Sequence, residues 1–173
     1  MPTGYAELLY GIWKGFRELR ELGLTDSAPL MAACEPASLA PLRGAVAAGV
    51  PALTVPSQLT SAYAIAVTVN GYRGIVALEE SGGFAVGVTD EEIAEAQTRL
   101  AQEGIWAEAS SAAALAGLRK AAAEDFKSGG PVVCVNTSSG FKDVSVGESL
   151  APQVEGTWEG VEDALMRHYG IVL

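Results

Sequence analysis

The sequence predicts an α/β fold: a doubly wound, mostly parallel sheet with helices on both faces. Three observations lead there. Short, continuous apolar runs suit strands buried on both faces. Between them lie segments of helical apolar period, as expected where each crossover lays a helix over the sheet. The 173 residues, 49% of them hydrophobic, suffice for one sizeable core. No repeat of roughly 20–50 residues runs along the chain, so a solenoid is not expected.

In residues 5–22, Leu8, Leu9, Ile12, Trp13, Phe16, Leu19 and Leu22 share one helical face, and Gly23 supplies the stop. The run Leu30 to Cys34 suits a buried strand ending at Glu35-Pro36, because proline disfavours helix in the residue before it. An alanine-rich helix is expected at about 37–48, and 57–69 also reads as helical. Ile75 to Glu80 forms a short helix stopped by Ser81-Gly82-Gly83, and Phe84 to Val88 is a strand. Thr89-Asp90-Glu91-Glu92 is a capping box that opens a helix to about Gln102, closed by Gly104. Ile105-Trp106-Ala107 reads as a third strand, Ser110 to Ala123 as a long helix, and Pro131 to Val135 as a fourth strand. After Gly147 the texture turns to glycine, proline and acidic residues, with a last amphipathic turn or two from Val161 to Tyr169. The expected organisation is an α/β domain over 1–148 and a peripheral C-terminal segment with a short helix over 149–173.

Composition narrows the function classes. Eleven Lys and Arg against 21 Asp and Glu give a net charge of -10, the wrong sign for a surface that tracks phosphates, so nucleic acid is not an expected partner. From Gly44 to Tyr72 no residue is charged, but Pro51, Pro56, Ser57, Gln58, Thr60, Ser61 and Asn70 interrupt the stretch. Such breakers would leave backbone groups unpaired in lipid, so a buried segment of a soluble protein is expected and no membrane partner. The N-terminal residues lack the basic and apolar regions of a secretory signal. Cys34 and Cys134 sit in apolar runs and read as buried thiols of a reducing compartment, which places the protein in the cytoplasm. His168 is the single histidine, which argues against metal sites built on several imidazoles and against His-centred triads, so no metal is expected.

Ligands of such sheets bind beyond the carboxyl ends of strands, where loops enter helix N-termini. Three loops qualify. Pro2-Thr3-Gly4-Tyr5-Ala6-Glu7 precedes the first helix and can present backbone N–H groups to a phosphate, or be a plain turn. In Glu108-Ala109-Ser110-Ser111-Ala112, either serine can simply cap the next helix. Asn136 to Asp143 carries three adjacent hydroxyls, at Thr137, Ser138 and Ser139, which can orient a heteroaromatic nitrogen or a substrate carboxylate, or belong to an ordinary polar loop. Lys142 in that loop is a candidate Schiff-base lysine if it is desolvated.

The order of these segments carries a resemblance. Pro-Thr-Gly before Leu-Leu-Tyr-Gly-Ile-Trp-Lys-Gly-Phe, then Glu79-Glu80-Ser81-Gly82-Gly83, Val88 to Ile93, Ala107 to Ala113 and Thr137 to Asp143, together resemble the C-terminal half of the threonine synthase family. More broadly the chain resembles the tryptophan-synthase-β-like, type II fold of pyridoxal-phosphate enzymes, over nearly all residues up to Asp143. The resemblance implies pyridoxal phosphate as cofactor and makes 1–148 the C-terminal part of a cofactor-binding domain. Gly4, Tyr5, Ala6, Glu7 and Leu8 match the family's phosphate loop, although the family usually places glycine or asparagine at the positions of Tyr5, Ala6 and Glu7. Larger side chains restrict backbone approach and a carboxylate repels phosphate, which counts against binding by this chain alone. Thr137 matches the hydroxyl partner of the pyridine nitrogen, and Glu108 the glutamate of the family's Glu-Pro-Ala-Ser segment, with Ala109 in place of proline.

The family's Schiff-base lysine lies in its N-terminal half, so Gly140-Phe141-Lys142-Asp143 is read as a decoy and no catalytic residue is assigned. The implied reaction is conversion of O-phosphohomoserine to threonine and phosphate. The expectation is a half-enzyme, inactive alone, that pairs with an N-terminal half chain or forms a homo-oligomer. The alternatives are a half of a threonine or serine dehydratase-like lyase, and a non-catalytic fragment that binds a phosphorylated ligand or a partner.

Overall fold

The computed structural model describes residues 1–143 and 154–172. They belong to two compact units, Met1–Lys142 and Asp143–Leu173. The domain boundary expected at 148/149 lies outside the described residues. The first unit contains α1 (Glu7–Glu21), β1 (Ala32–Pro36), α2 (Pro41–Ala48), β2 (Ala52–Thr54), β3 (Val69–Gly71), α3 (Tyr72–Ser81), β4 (Phe84–Val88), α4 (Asp90–Gln102) and α5 (Ala109–Ala123). Single 3-10 turns lie at Tyr63–Ile65 and Gly140–Lys142, and the second unit carries α6 (Trp158–Tyr169).

Strands β1 and β4 pair in parallel, Ala32 opposite Phe84 and Pro36 opposite Val88. Residues 1–3 continue the sheet on the other side of β1. Thr3 N donates to the Cys34 carbonyl at 2.9 Å and Cys34 N to the Met1 carbonyl at 2.8 Å. Because side chains alternate along a strand, Cys34, Val86 and Val88 face one way and pack with Ile93 and Ala96 of α4 and the alanines of α5. Ala33 and Ala85 face the other way, towards Leu9 and Trp13 of α1 and Leu78 of α3. Helices therefore cover both faces, and the fold is α/β with a parallel sheet. Burying a side chain such as Leu9, Leu78 or Ile93 contributes roughly 1.5–3 kcal/mol each.

Local chemistry explains the element ends. Gly23 and Gly82 stop α1 and α3 with φ of 69° and 67°, a region that costs glycine nothing. The capping box of α4 is complete: Glu92 N donates to Thr89 Oγ1 at 3.2 Å and Thr89 N to Glu92 Oε2 at 2.8 Å. In α5 the small residues let the helix lie close on the sheet. A Cβ at Gly117 would come within 2.3 Å of Cys34 Sγ.

Several expectations are corrected. The stretch 57–69 is not a helix: it holds only the turn Tyr63–Ile65 and the start of β3, which pairs antiparallel with an unforeseen β2. Asp90 pins this segment, accepting from Thr60 Oγ1 at 2.6 Å and from Ser61 N at 3.0 Å, so its backbone follows an acceptor 30 residues away. Nor is 44–72 a buried stretch, since much of it is exposed and Leu59 stands out fully. No helix among the described residues is long and apolar enough to cross a membrane. Residues 105–107 make only an isolated bridge, Ala107 to Ser139, and 131–135 form no strand, which leaves Val133 and Cys134 exposed. Only Cys34 is the buried thiol expected of both cysteines. The alanine-rich helix begins at Pro41, whose fixed φ suits a first helical position.

Candidate functional site

Residue 1 onward runs beside β1, turns at Gly4 to Ala6 and enters α1. The turn is held from behind by Asn70, whose amide donates to the Gly4 carbonyl and whose Oδ1 accepts Gly71 N at 2.7 Å. Ala6 takes the N-cap position with φ 64°, the left-handed region, which normally costs a non-glycine residue about 1–2 kcal/mol. No side chain caps α1. The first amides of a helix have no carbonyl four residues back, so these N–H groups are donors at the positive end of the helix. The residues that carry them, with the turn before, line a cavity of about 340 Å³ through Thr3 to Leu9.

The opposite wall comes from the first turn of α5 and the loop after residue 135. Glu108, Ser110, Thr137, Ser138 and Lys142 line it, with Ala64, Ile65 and Val67 closing a third side. The loops lock together through side chains. Ser110 Oγ accepts Ala64 N at 3.1 Å, Ser111 Oγ accepts Ser138 N at 2.9 Å, and Ser111 Oγ lies 2.9 Å from Thr137 Oγ1. Glu108 N donates to the Ser138 carbonyl at 3.1 Å, and Tyr63 donates its hydroxyl to the Lys142 carbonyl at 3.0 Å.

All the residues singled out as a phosphate loop, Gly4, Tyr5, Ala6, Glu7 and Leu8, thus share one cavity with Thr137 and Lys142. The carboxylate of Glu7 does not stand alone, because Arg73 Nη1 is 3.7 Å from it, which offsets its repulsion of an anion. Lys142 Nζ is 3.2 Å from Glu108 Oε2, a pair in which the carboxylate is 1% exposed and the lysine half exposed. The other oxygen, Glu108 Oε1, is buried without a hydrogen-bond partner among the described residues. Native structures rarely leave such an atom unpaired. Ser111, read from sequence as an ordinary cap, instead bridges two loop residues, and the spacing of the Glu-Ala-Ser-Ser segment after a short apolar run was the only local signal for it.

An α/β unit whose uncapped helix N-terminus faces a hydroxyl-bearing loop across one cavity has the layout of a binder of phosphorylated ligands. Residues 1–138 match the family model described as pyridoxal-phosphate dependent enzyme, and the chain belongs to that family. It is 44% identical over 124 residues to the threonine synthase of Methanosarcina acetivorans, covering 69% of this chain and 31% of that protein. To the threonine synthase of Methanocaldococcus jannaschii it is 36% identical over 148 residues, covering 83% and 36%. To that of Halalkalibacterium halodurans it is 34% identical over 176 residues, covering 97% and 46%. The chain thus spans from under a third to under half the length of these curated relatives. Solved structures agree on the fold: a threonine deaminase from T.th. superposes with a TM-score of 0.58 at 22% identity, covering 70% of this chain and 42% of that one. A fungal L-serine ammonia-lyase from Rhizomucor miehei superposes with a TM-score of 0.59 at 22% identity, covering 72% and 38%.

Membership implies pyridoxal phosphate as cofactor, and the donor set of the cavity suits that group. The uncapped α1 amides fit a phosphate, the Thr137 hydroxyl fits a ring nitrogen, and the orphaned Glu108 Oε1 awaits a donor.

Proposed function

We propose that the chain forms the phosphate and ring-nitrogen side of a lyase of the threonine synthase type, which converts O-phosphohomoserine to threonine and phosphate. The observation that carries this is the shared cavity of the α1 N-terminus and Thr137, in a chain whose curated relatives are threonine synthases. Gly4 to Leu8 hold the cofactor phosphate through backbone N–H groups, with Arg73 neutralising Glu7. Thr137 orients the ring, and a neutral hydroxyl there leaves the ring nitrogen unprotonated, unlike a carboxylate partner. Bound pyridoxal phosphate supplies an electron sink for the carbanion that the reaction needs.

Lys142 is not the Schiff-base lysine in this reading. Its Nζ lies 3.2 Å from the buried Glu108 carboxylate, and the family's Schiff-base lysine belongs to a segment that this loop does not match. The pair lines the cavity instead. An N-terminal half outside residues 1–173 supplies the Schiff-base lysine and the small mobile domain, and residues 1–173 alone are inactive. The setting is cytoplasmic.

The test is reconstitution. The chain is mixed with a lysine-bearing N-terminal half of a threonine synthase relative, pyridoxal phosphate and O-phosphohomoserine. Phosphate release is expected from the mixture alone, with borohydride fixing the cofactor on a lysine of the added half. A reduced adduct on Lys142 would refute the assignment. Ammonia released from serine or threonine, without phosphate release, would favour a dehydratase-like lyase.

A further inference from the structure

We infer that Ser111 is a positioning residue that turns Thr137 into a hydrogen-bond donor towards the cavity, so that the site selects a ligand ring whose nitrogen is an acceptor. The inference rests on the proposed placement of a phosphorylated pyridine ring between α1 and Thr137, and adds which proton lies where.

A serine hydroxyl has one proton to give and two lone pairs. The Ser138 amide can only donate, so the contact of 2.9 Å to Ser111 Oγ occupies one of those lone pairs. The Ser111 side chain is buried, 2% exposed, and among the described residues its remaining partner is Thr137 Oγ1 at 2.9 Å. If Thr137 gave its proton to Ser111, the Ser111 proton would be buried without an acceptor, which is costly. The consistent arrangement runs one way: Ser138 N–H to Ser111 Oγ, Ser111 O–H to Thr137 Oγ1, and Thr137 O–H into the cavity that Thr137 lines. An unprotonated ring nitrogen completes that chain, whereas a pyridinium would leave the Thr137 proton without a partner once water is displaced. The Ala64 amide fixes Ser110 next door at 3.1 Å, so the first turn of α5 has little freedom to change the direction.

The test uses pyridoxine 5′-phosphate, which has the ring nitrogen and the phosphate but no aldehyde, so its binding needs no lysine. Its ring absorbance reports the protonation of the nitrogen, and inorganic phosphate serves as a probe of the α1 N-terminus alone. Wild type is expected to bind pyridoxine 5′-phosphate with its ring deprotonated at a lower pH than in free solution. Ser111→Ala is expected to weaken that binding about fivefold, the effect of one neutral hydrogen bond, and to return the ring towards its free ionisation. Thr137→Val should do the same and Thr137→Ser should not. Phosphate affinity should stay within about twofold in all three, because a pairwise contact between loop side chains does not reach the α1 amides. Unchanged affinity and ring ionisation in Ser111→Ala overturns the inference and leaves the site reading intact. Equal weakening of both probes makes Ser111 merely structural and also overturns it. Failure of wild type to bind the ring compound more tightly than phosphate overturns the site reading and the inference together.

Discussion

Gly117→Ala tests how α5 is seated. Without other effects, alanine would stabilise a helix interior by about 1 kcal/mol over glycine. Here the new Cβ would lie 2.3 Å from Cys34 Sγ, 3.0 Å from Val86 Cγ1 and 3.1 Å from Cys34 Cβ. Ordinary contacts are about 3.5–4.0 Å, so α5 must lift by about 1 Å or the strand residues must leave their rotamers. Overpacking of that kind costs roughly 1–3 kcal/mol, which matches or outweighs the helical gain and predicts a net loss of up to about 2 kcal/mol. Urea unfolding followed by circular dichroism should show a lower midpoint with an unchanged slope. Combining the change with Cys34→Ala removes the worst contact, so the double variant should lose less than the two single losses added together. A Gly117→Ala protein as stable as wild type, with additive losses in the pair, would refute the close seating.

Two further outcomes follow from the first unit. Burial raises the Glu35 carboxyl to about 7, against amide bonds from Leu42 and Arg43 that lower it. Between pH 4.5 and about 7 the folded chain holds a proton that the unfolded chain has released, so stability falls as pH rises through that window, by about 3 kcal/mol at most. Glu35→Gln should flatten the difference between unfolding midpoints at pH 5 and pH 8, and an equal pH dependence in both proteins would exclude Glu35 as its source. Leu8, Phe16, Leu19 and Leu22 stand exposed along α1, so the chain should self-associate in sedimentation velocity at high concentration, and Leu19→Lys with Leu22→Lys should shift it towards monomer. A wild-type chain that stays monomeric there would exclude the exposed α1 side chains as an association face.

Elements with their signals inside a few residues were legible in the sequence. The capping box of α4, the run Phe84 to Val88 and the glycines after α1 and α3 each specify their element locally. Segments decided by distant partners were not. The stretch 57–69 has the apolar content of a helix, yet Thr60 and Ser61 answer to Asp90. Residues 131–135 read as a strand, but a β-strand exists only where another pairs with it, and no ladder forms there among the described residues. The site divides in the same way. A glycine turn before a helix and a hydroxyl-rich loop can be seen along the chain, while the links Glu108 to Lys142, Ser111 to Thr137 and Glu7 to Arg73 join residues 34, 26 and 66 positions apart.

The first turn of α5 also sets a reading frame for the whole site. Glu108, Ser110 and Ser111 each reach a different piece of chain: Lys142, Ala64, and the pair Thr137 and Ser138. An α-helix advances about 100° per residue. Inserting or deleting a single residue between Glu108 and Ser111 would therefore break the spacing of these side chains so that they could not all meet their partners at once, whereas one substitution removes a single link. This short stretch should tolerate changes of residue type far better than changes of length, the opposite of what surface loops usually accept.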